Sequence, residues 1–201
     1  TTILDCSVWL ILGIIIGARL IYVLFYNLPY YLSHLSEILM IWKGGLSFHG
    51  GLIGAVVGIY SFARKNNIPF YDLADMIVVP LPLALAFGRI ANFINGELVG
   101  RVTNVPWAFD FGDGIARHPS QLYESLKNFI LFGIMLYANQ LKLKRGYLFW
   151  LFVLVYGSFR FIVEFFRAPD PQLGFILFNL SMGQLLSAVM VVAAVWWFAK
   201  K

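Results

Sequence analysis

The sequence predicts an all-α polytopic membrane protein, and two observations carry that prediction. Of its 201 residues, 60% are hydrophobic and only 12% are charged, whereas a soluble domain carries about 25% charged residues. Long apolar stretches also recur along the whole length, and each approaches the ~20 residues that a helix needs to cross the hydrocarbon layer. We therefore expect a single transmembrane helical domain over residues 1–201, embedded in the lipid bilayer.

The apolar stretches predict six transmembrane helices. They cover approximately 6–26, 45–63, 72–95, 119–140, 146–166 and 174–198. With six spans, three basic segments fall on one side: RK at 64–65, KLKR at 142–145 and KK at 200–201. The positive-inside rule assigns that side to the cytoplasm, together with both chain ends. The longest connection on the opposite side, 96–118, contains Gly, Pro, Asp and Trp, and we expect it to form a small lobe with short strands.

Ionisable side chains within the predicted spans are the first functional candidates, because each is costly in lipid. One stripe on a helix face contains Tyr156, Arg160, Glu164 and Arg167, spaced by three or four residues. Arg89 and Asn92 share a second face. A third stripe contains His118, Gln121, Glu124, Ser125 and Asn128. Stripes that face one another would enclose a polar cavity, and in this topology the cavity lies at the depth of the outer lipid headgroups.

Arg89 and Arg160 suggest a phosphate ligand, since the guanidinium group is a planar, permanently charged fork that suits phosphate oxygens. Other interpretations remain open on spacing alone. In the structural interpretation, Arg160 and Glu164 form only a buried pair at i,i+4, and Asn92 only joins helices. A membrane transporter of lipid or small anions would use the same arginines, whereas a membrane scaffold would need neither of them.

Three further residues have a structural and a functional interpretation. His49 stands in WKGGLSFHGGLIG. A lone histidine among glycines is more often a packed side chain than a catalyst, but it is also the obvious proton acceptor of this set, since imidazole exchanges a proton near neutral pH. Arg19 is expected to snorkel or to pair structurally. Cys6 is the one cysteine, which excludes an internal disulfide and a metal site built from several thiolates. We expect no metal site.

The segment GRIANFINGELVG, residues 88–100, resembles the signature of the bacterial prolipoprotein diacylglyceryl transferase family. It matches every constrained position of the pattern G-R-x-[GA]-N-F-x-N-x-E-x-x-G. Four other segments support the resemblance: GARLIYVLFY (17–26), WKGGLSFHGGL (42–52), RHPSQLYES (117–125) and YGSFRFIVEFFRAPD (156–170). The resemblance thus covers essentially the whole chain.

The resemblance implies an enzyme of the bacterial inner membrane that needs no cofactor. Members of the family move the diacylglyceryl group of phosphatidylglycerol to the lipobox cysteine thiol of a prolipoprotein and release glycerol 1-phosphate. The implied partners are phosphatidylglycerol, prolipoprotein signal peptides and the lipid bilayer, with no nucleic acid. The resemblance also implies an active site towards the periplasmic leaflet and a cytoplasmic C terminus.

The resemblance assigns roles to residues of this sequence. The implied catalytic residues are His49, Arg89 and Arg160. The implied phosphatidylglycerol-binding residues are Arg89, Asn92, Glu97, Gly100, Tyr156, Arg160 and Glu164. The family has seven spans, and this chain starts, with Thr rather than Met, at what resembles the second. The expected fold is therefore the seven-helix bundle lacking its first helix, with a periplasmic lobe at 96–118.

Overall fold

A computed structural model describes residues 2–168, 175–177 and 180–201 of the protein. The chain divides into two compact units, of which the first ends at Ala74 and the second begins at Asp75. We describe each unit by itself, and the single transmembrane domain over 1–201 stays a prediction.

The first unit is built around a pair of long helices. Its helices are α1 (Thr2–Phe25), α2 (Leu28–Ser33), two 3-10 helices (Leu35–Leu39 and Ile41–Lys43) and α3 (Phe48–Lys65). The next helix, α4 (Phe70–Val78), crosses the boundary between the units. Glycines allow α1 and α3 to pack backbone against backbone: a Cβ atom at Gly54 would collide with the carbonyl of Gly13, and one at Gly17 with the carbonyl of Gly50. Such small residues let helices approach closely in lipid.

Arg19 fixes the connection between α1 and α3. Its side chain is buried and donates hydrogen bonds to the carbonyl oxygens of Ile38 at 2.7 Å, Gly44 at 2.6 Å and Glu37 at 2.6 Å. The guanidinium carbon also lies 5.1 Å from the centre of the Tyr31 ring. The expected structural pairing of Arg19 is confirmed, but its partners are backbone carbonyl groups rather than a carboxylate.

The second unit contains a series of sequentially packed helices and two short hairpins. Its elements are α5 (Leu81–Ile94), β1 (Phe109–Asp110), β2 (Ala116–Arg117), α6 (Ser120–Gln140), α7 (Tyr147–Val163), β3 (Phe175–Leu177), β4 (Leu180–Ser181) and α8 (Met182–Ala199). Helix α5 packs on α6, α6 on α7, and α7 on α8. The strands pair antiparallel, β1 with β2 and β3 with β4. Val78, Leu131, Met135 and Phe152 form the buried apolar core of this unit.

Polar side chains set where α7 and α8 begin. The carboxylate of Asp75 accepts hydrogen bonds from the backbone N–H groups of Gly146, at 2.6 Å, and Phe149, at 2.7 Å. Both donors lie at the start of α7, where backbone N–H groups have no acceptor within the helix. At the start of α8, Ser181 and Gln184 form a reciprocal capping box. Both helices therefore have a defined first turn.

The structure has eight described α-helices where the sequence predicts six spans, and not all of these helices have the properties of a span. Among the described residues, two helices, α1 and α8, are long and apolar enough to cross a membrane, and the pair α4–α5 would make a third if it counts as one bent span. Helix α7 is apolar but shorter. The protein thus has apolar helices suited to a membrane, and six spans remain a prediction.

The structure differs from two of the predicted spans and from the predicted polar stripe on α7. The span at 72–95 is two helices that meet at 44°, since Pro80 and Pro82 lack the N–H donors of a continuous helix. The span at 174–198 begins too early, because Leu180–Ser181 is strand β4 and the Ser181 cap starts the helix at Met182; residue 174 lies outside the described residues. Arg167 is not on the α7 face, because α7 ends at Val163.

Candidate active site

Glu124 lies at the centre of a buried cluster of charged side chains in the second unit. Its side chain is only 3% exposed, and Arg160 Nη1 forms an ion pair with Glu124 Oε1. Arg89 Nε lies 3.7 Å from the other carboxylate oxygen, Oε2. The two arginines that the sequence predicts to face one cavity are therefore brought to the same carboxylate.

The order of the helices explains this convergence. Arg89 lies near the end of α5, Glu124 near the start of α6 and Arg160 near the end of α7. Because α6 packs on both α5 and α7, and successive helices reverse direction, these three helix ends meet at one end of the unit. The start of α8, at Met182, joins them against the end of α7.

Asn92 and Glu97 continue the cluster from Arg89. Arg89 Nη1 donates to Asn92 Oδ1 at 3.3 Å, and Asn92 Nδ2 donates to Glu97 Oε2 at 2.9 Å. Gln121 Nε2 donates to the backbone carbonyl of Glu97 at 2.6 Å, which ties the segment after α5 to α6. Asn92 therefore links the exposed Glu97 carboxylate to the Arg89 guanidinium.

Gly100 permits a close contact between backbone segments. Its N–H donates to the carbonyl of His118 at 3.2 Å, and the residue also forms a β-bridge with Arg167. A Cβ atom at this position would collide with that His118 carbonyl. The contribution of Gly100 to the site is therefore the path of the backbone, which a larger residue would change.

Glu164 anchors Arg160 from the opposite side. Arg160 Nη2 lies 2.7 Å from Glu164 Oε2, and the Ser181 hydroxyl donates to Glu164 Oε1 at 2.9 Å. A Cβ atom at Gly183 would lie 2.6 Å from that same oxygen, so the carboxylate rests against the first turn of α8. The simple i,i+4 pair expected for Arg160 and Glu164 is present, but it is part of a larger network.

Lys127 belongs to the cluster and was not predicted. Its side chain is 7% exposed, and its Nζ atom lies 3.4 Å from Glu124 Oε2. The same atom lies 3.1 Å from Asn128 Oδ1 and 4.2 Å from the centre of the Tyr156 ring. Tyr156 stacks on Phe152, with ring centres 5.4 Å apart. The spacing of three residues from Glu124 was the signal that could have identified Lys127.

His49 lies in the first unit and is described with it. Ser47 caps α3, so His49 is in the first turn of that helix, and its side chain is exposed. In the part of the chain that the structure describes, no group of three or more His, Cys, Asp or Glu side chains is arranged to hold a metal ion.

The segment 96–118 contains the short strands that the sequence predicts. Strands β1 and β2 pair within it, and Val102 forms a further bridge with Arg117. Arg117 Nη1 lies 2.7 Å from Asp113 Oδ1, and this hydrogen bond lowers the pKa of the Asp113 carboxyl below its usual value. The Trp107 indole N–H donates to the Tyr123 hydroxyl at 2.6 Å, which attaches the segment to α6.

The cluster has the chemistry of an anion-binding site. Two guanidinium groups and one ammonium group approach a single shared carboxylate, and a second carboxylate neutralises part of the remaining charge. Arg89 is the most accessible of the three cations, with 23% of its side chain exposed. Guanidinium groups bind phosphate oxygens through paired N–H donors, so an anionic phosphate group suits this arrangement.

Comparison with known proteins supports the family resemblance of the sequence over residues 1–200. The model of the prolipoprotein diacylglyceryl transferase family matches residues 1–200. A phosphatidylglycerol–prolipoprotein diacylglyceryl transferase of Geobacter sulfurreducens is 51% identical over 181 residues, which are 89% of this chain and 70% of the relative. One of Bordetella parapertussis is 49% identical over 94% of this chain and 74% of its own length. This chain belongs to the prolipoprotein diacylglyceryl transferase family.

Proposed function

We propose that this protein transfers the diacylglyceryl group of phosphatidylglycerol to the lipobox cysteine thiol of prolipoproteins, the first step of bacterial lipoprotein maturation. The observation that carries the proposal is the family match over residues 1–200. The site itself adds support, because Arg89 and Arg160 meet at one buried carboxylate and form a site for an anionic headgroup.

The proposed topology follows from the charges and from the helices. Six helices cross the bacterial cytoplasmic membrane, and the C terminus is cytoplasmic, as the positive-inside rule requires for the basic segments at 142–145 and 200–201. The charged cluster then opens towards the periplasmic leaflet, and the lobe at 96–118 is periplasmic. Phosphatidylglycerol in the outer leaflet would thereby present its phosphate at the depth of the arginines.

The reaction exchanges one bond at the glycerol carbon for another. The cysteine sulfur forms a bond to C3 of the diacylglycerol moiety, while the bond between that carbon and the phosphate oxygen breaks. The phosphate leaves with its second glycerol as glycerol 1-phosphate, and the thiol loses its proton. Two groups therefore need help from the protein: the phosphate that gains charge and the thiol that must ionise.

Arg89 and Arg160 supply the first contribution. Both guanidinium groups bind the phosphodiester of the lipid, and their hydrogen bonds strengthen as negative charge develops on the leaving oxygen. That difference between ground state and transition state is what accelerates the reaction. In the structure, Glu124 is the anionic partner of both arginines.

The other predicted binding residues hold these two arginines or the headgroup in place. Asn92 orients Arg89 and is itself held by Glu97. Glu164 fixes Arg160, and the Tyr156 ring lies beside the Lys127 ammonium group. Gly100 acts through the backbone rather than by contact with the lipid.

His49 is proposed as the general base that accepts the thiol proton. The assignment rests on the sequence resemblance and on the chemistry of imidazole, which exchanges a proton near neutral pH. A cysteine thiol is already slightly ionised at neutral pH, so the base contributes less to the rate than the arginines do.

The test is a transfer assay with the purified protein in detergent. Phosphatidylglycerol and a lipobox peptide should yield diacylglyceryl peptide and glycerol 1-phosphate in equal amounts, and the Arg89→Ala protein should yield neither. A protein that moves lipid or anions across liposome membranes, but forms no lipidated peptide, would be a transporter. Lipidated peptide without release of glycerol 1-phosphate would contradict the proposed bond exchange.

A further inference from the structure

Lys127 is a buried cation that the proposed function does not use. It lies on α6, three residues after Glu124, and its side chain is 7% exposed. A buried charge is costly unless it is paired and hydrogen-bonded. Its position in the cluster therefore calls for an explanation beyond packing.

The three partners of the ammonium group hold it in a defined position. Its Nζ atom lies 3.4 Å from Glu124 Oε2, 3.1 Å from Asn128 Oδ1 and 4.2 Å from the centre of the Tyr156 ring. The Asn128 amide oxygen accepts a hydrogen bond from the ammonium group, the Glu124 carboxylate pairs with its charge, and the Tyr156 ring faces it. Lys127 is thus arranged to act on Glu124 rather than to reach a lipid phosphate.

The charges of the cluster indicate why Glu124 needs this partner. Arg89, Lys127 and Arg160 each lie within ion-pair distance of the same Glu124 carboxylate, and Glu164 pairs with Arg160. Without the lysine, the full negative charge of Glu124 would compete with the lipid phosphate for both arginines.

We propose that Lys127 is a positioning residue that neutralises Glu124 and thereby leaves Arg89 and Arg160 free to bind the phosphodiester of an anionic phospholipid. The inference rests on the proposed function for the identity of the lipid. Its distinctive consequence is that Lys127 matters only while Glu124 is charged.

A double-mutant cycle measures this dependence directly. The readout is the apparent affinity for phosphatidylglycerol, taken from the rise of the melting temperature as lipid is titrated into detergent-solubilised protein. Neutral diacylglycerol is the matched lipid without a phosphate. Lys127→Met should weaken phosphatidylglycerol binding about tenfold or more in the native background, but by about twofold or less in the Glu124→Gln background. Lys144→Met, which removes an exposed lysine, should bind as the wild type does.

Two further comparisons keep the test decisive if Lys127→Met alone does not fold. Lys127→Arg keeps the charge and should stay within about threefold of the wild-type affinity. The E124Q/K127M protein should match E124Q. The inference is overturned if Lys127→Met binds phosphatidylglycerol as the wild type does. It is also overturned if E124Q/K127M binds about tenfold more weakly than E124Q, because Lys127 would then contact the phosphate itself.

The same proteins separate this inference from the proposed function. A wild-type protein that phosphatidylglycerol stabilises, but that forms no lipidated peptide, contradicts the transfer reaction and leaves the charge relationship between Lys127 and Glu124 testable by binding. A wild-type protein that transfers lipid, with a Lys127→Met variant of unchanged affinity, contradicts the inference alone.

Discussion

Arg89 on α5 and Glu124 on α6 form an ion pair of 3.7 Å, on the carboxylate that also pairs with Arg160 of α7. The carboxylate therefore holds Arg89, from the segment 88–100, near Arg160, from the segment 156–170. A phosphate that binds both guanidinium groups would compete with this carboxylate for them. Glu124 is thus the support that keeps the two arginines together.

Replacing Glu124 by Gln should lower both stability and transfer. The change removes the carboxylate that Arg89, Lys127 and Arg160 share, and breaking a buried ion pair costs about 3–5 kcal/mol. We expect a clear fall of the melting temperature and a loss of about tenfold or more in kcat/KM for phosphatidylglycerol. Glu37→Gln removes a partly buried carboxylate of the first unit, which pairs with Lys43, and is the matched control, which should retain transfer. A Glu124→Gln protein with wild-type stability and rate would show that neither folding nor transfer requires the shared carboxylate.

Loss of Arg160 should be more severe than loss of its anchor. Arg160→Ala removes a phosphate ligand, and transfer should fall by about 100-fold or more, as expected for one charged donor to a developing anion. Glu164→Gln leaves the guanidinium group in place, with Glu124 and the Ser181 hydroxyl still present, and should weaken transfer less. Single-turnover rates of both variants provide the comparison. Equal and complete loss in both would indicate that Glu164 has its own chemical role.

Gly100→Ala should destabilise the protein through its backbone. The added methyl group would collide with the His118 carbonyl, and overpacking of this kind costs about 1–3 kcal/mol. Gly133→Ala is the matched control, because a Cβ atom there meets nothing within 4 Å and alanine is the better helix former. Thermal unfolding in detergent compares them. If both variants unfold at the wild-type temperature, the close approach at Gly100 is not required.

The sequence predicts the approximate positions of the long helices and several members of the charged cluster. Apolar length indicates the helices, and helical spacing selects Arg89, Asn92, Arg160 and Glu164, which the structure brings together through ion pairs and hydrogen bonds. Spacing also placed Glu124 in a polar stripe. What it did not reveal is that this one carboxylate connects the arginines, because a pairing between helices depends on the rotation of each helix against its neighbours.

The remaining differences arise where local chemistry ends a helix. The stripe from Tyr156 to Arg167 continues in the sequence, but the α7 helix stops at Val163 and Arg167 pairs with Gly100 instead. Ser181 moves the start of the last helix to Met182 through its capping box. Apolar composition alone does not mark these boundaries, since apolar residues such as Phe165, Phe166 and Leu180 also lie outside the two helices. Lys127 was missed because its spacing of three residues from Glu124 indicates a local pair on α6, but not the burial that brings both side chains into the cluster.

The role of His49 should appear in the pH dependence of transfer. If His49 is the general base, the wild-type rate rises with pH as the imidazole loses its proton, and the His49→Gln protein lacks that step. Its deficit should then shrink at high pH, where the thiol of the peptide ionises without help. Rates of both proteins from about pH 6 to 9.5, with saturating lipid, provide the comparison. A constant ratio of the two rates would exclude the base and leave the arginine site unchanged.

Replacing Arg89 by Lys separates the charge of this residue from its geometry, because lysine keeps the positive charge but lacks the planar pair of donors. The measurement is kcat/KM for phosphatidylglycerol in the Arg89→Lys protein, with the melting temperature as the check on folding and Arg64→Lys, outside the cluster, as the matched control. We expect a folded protein whose kcat/KM falls by about 100-fold or more, while the control retains the wild-type value. A folded Arg89→Lys protein that transfers diacylglyceryl at a rate near that of the wild type would show that the guanidinium group of Arg89 does not hold the phosphate.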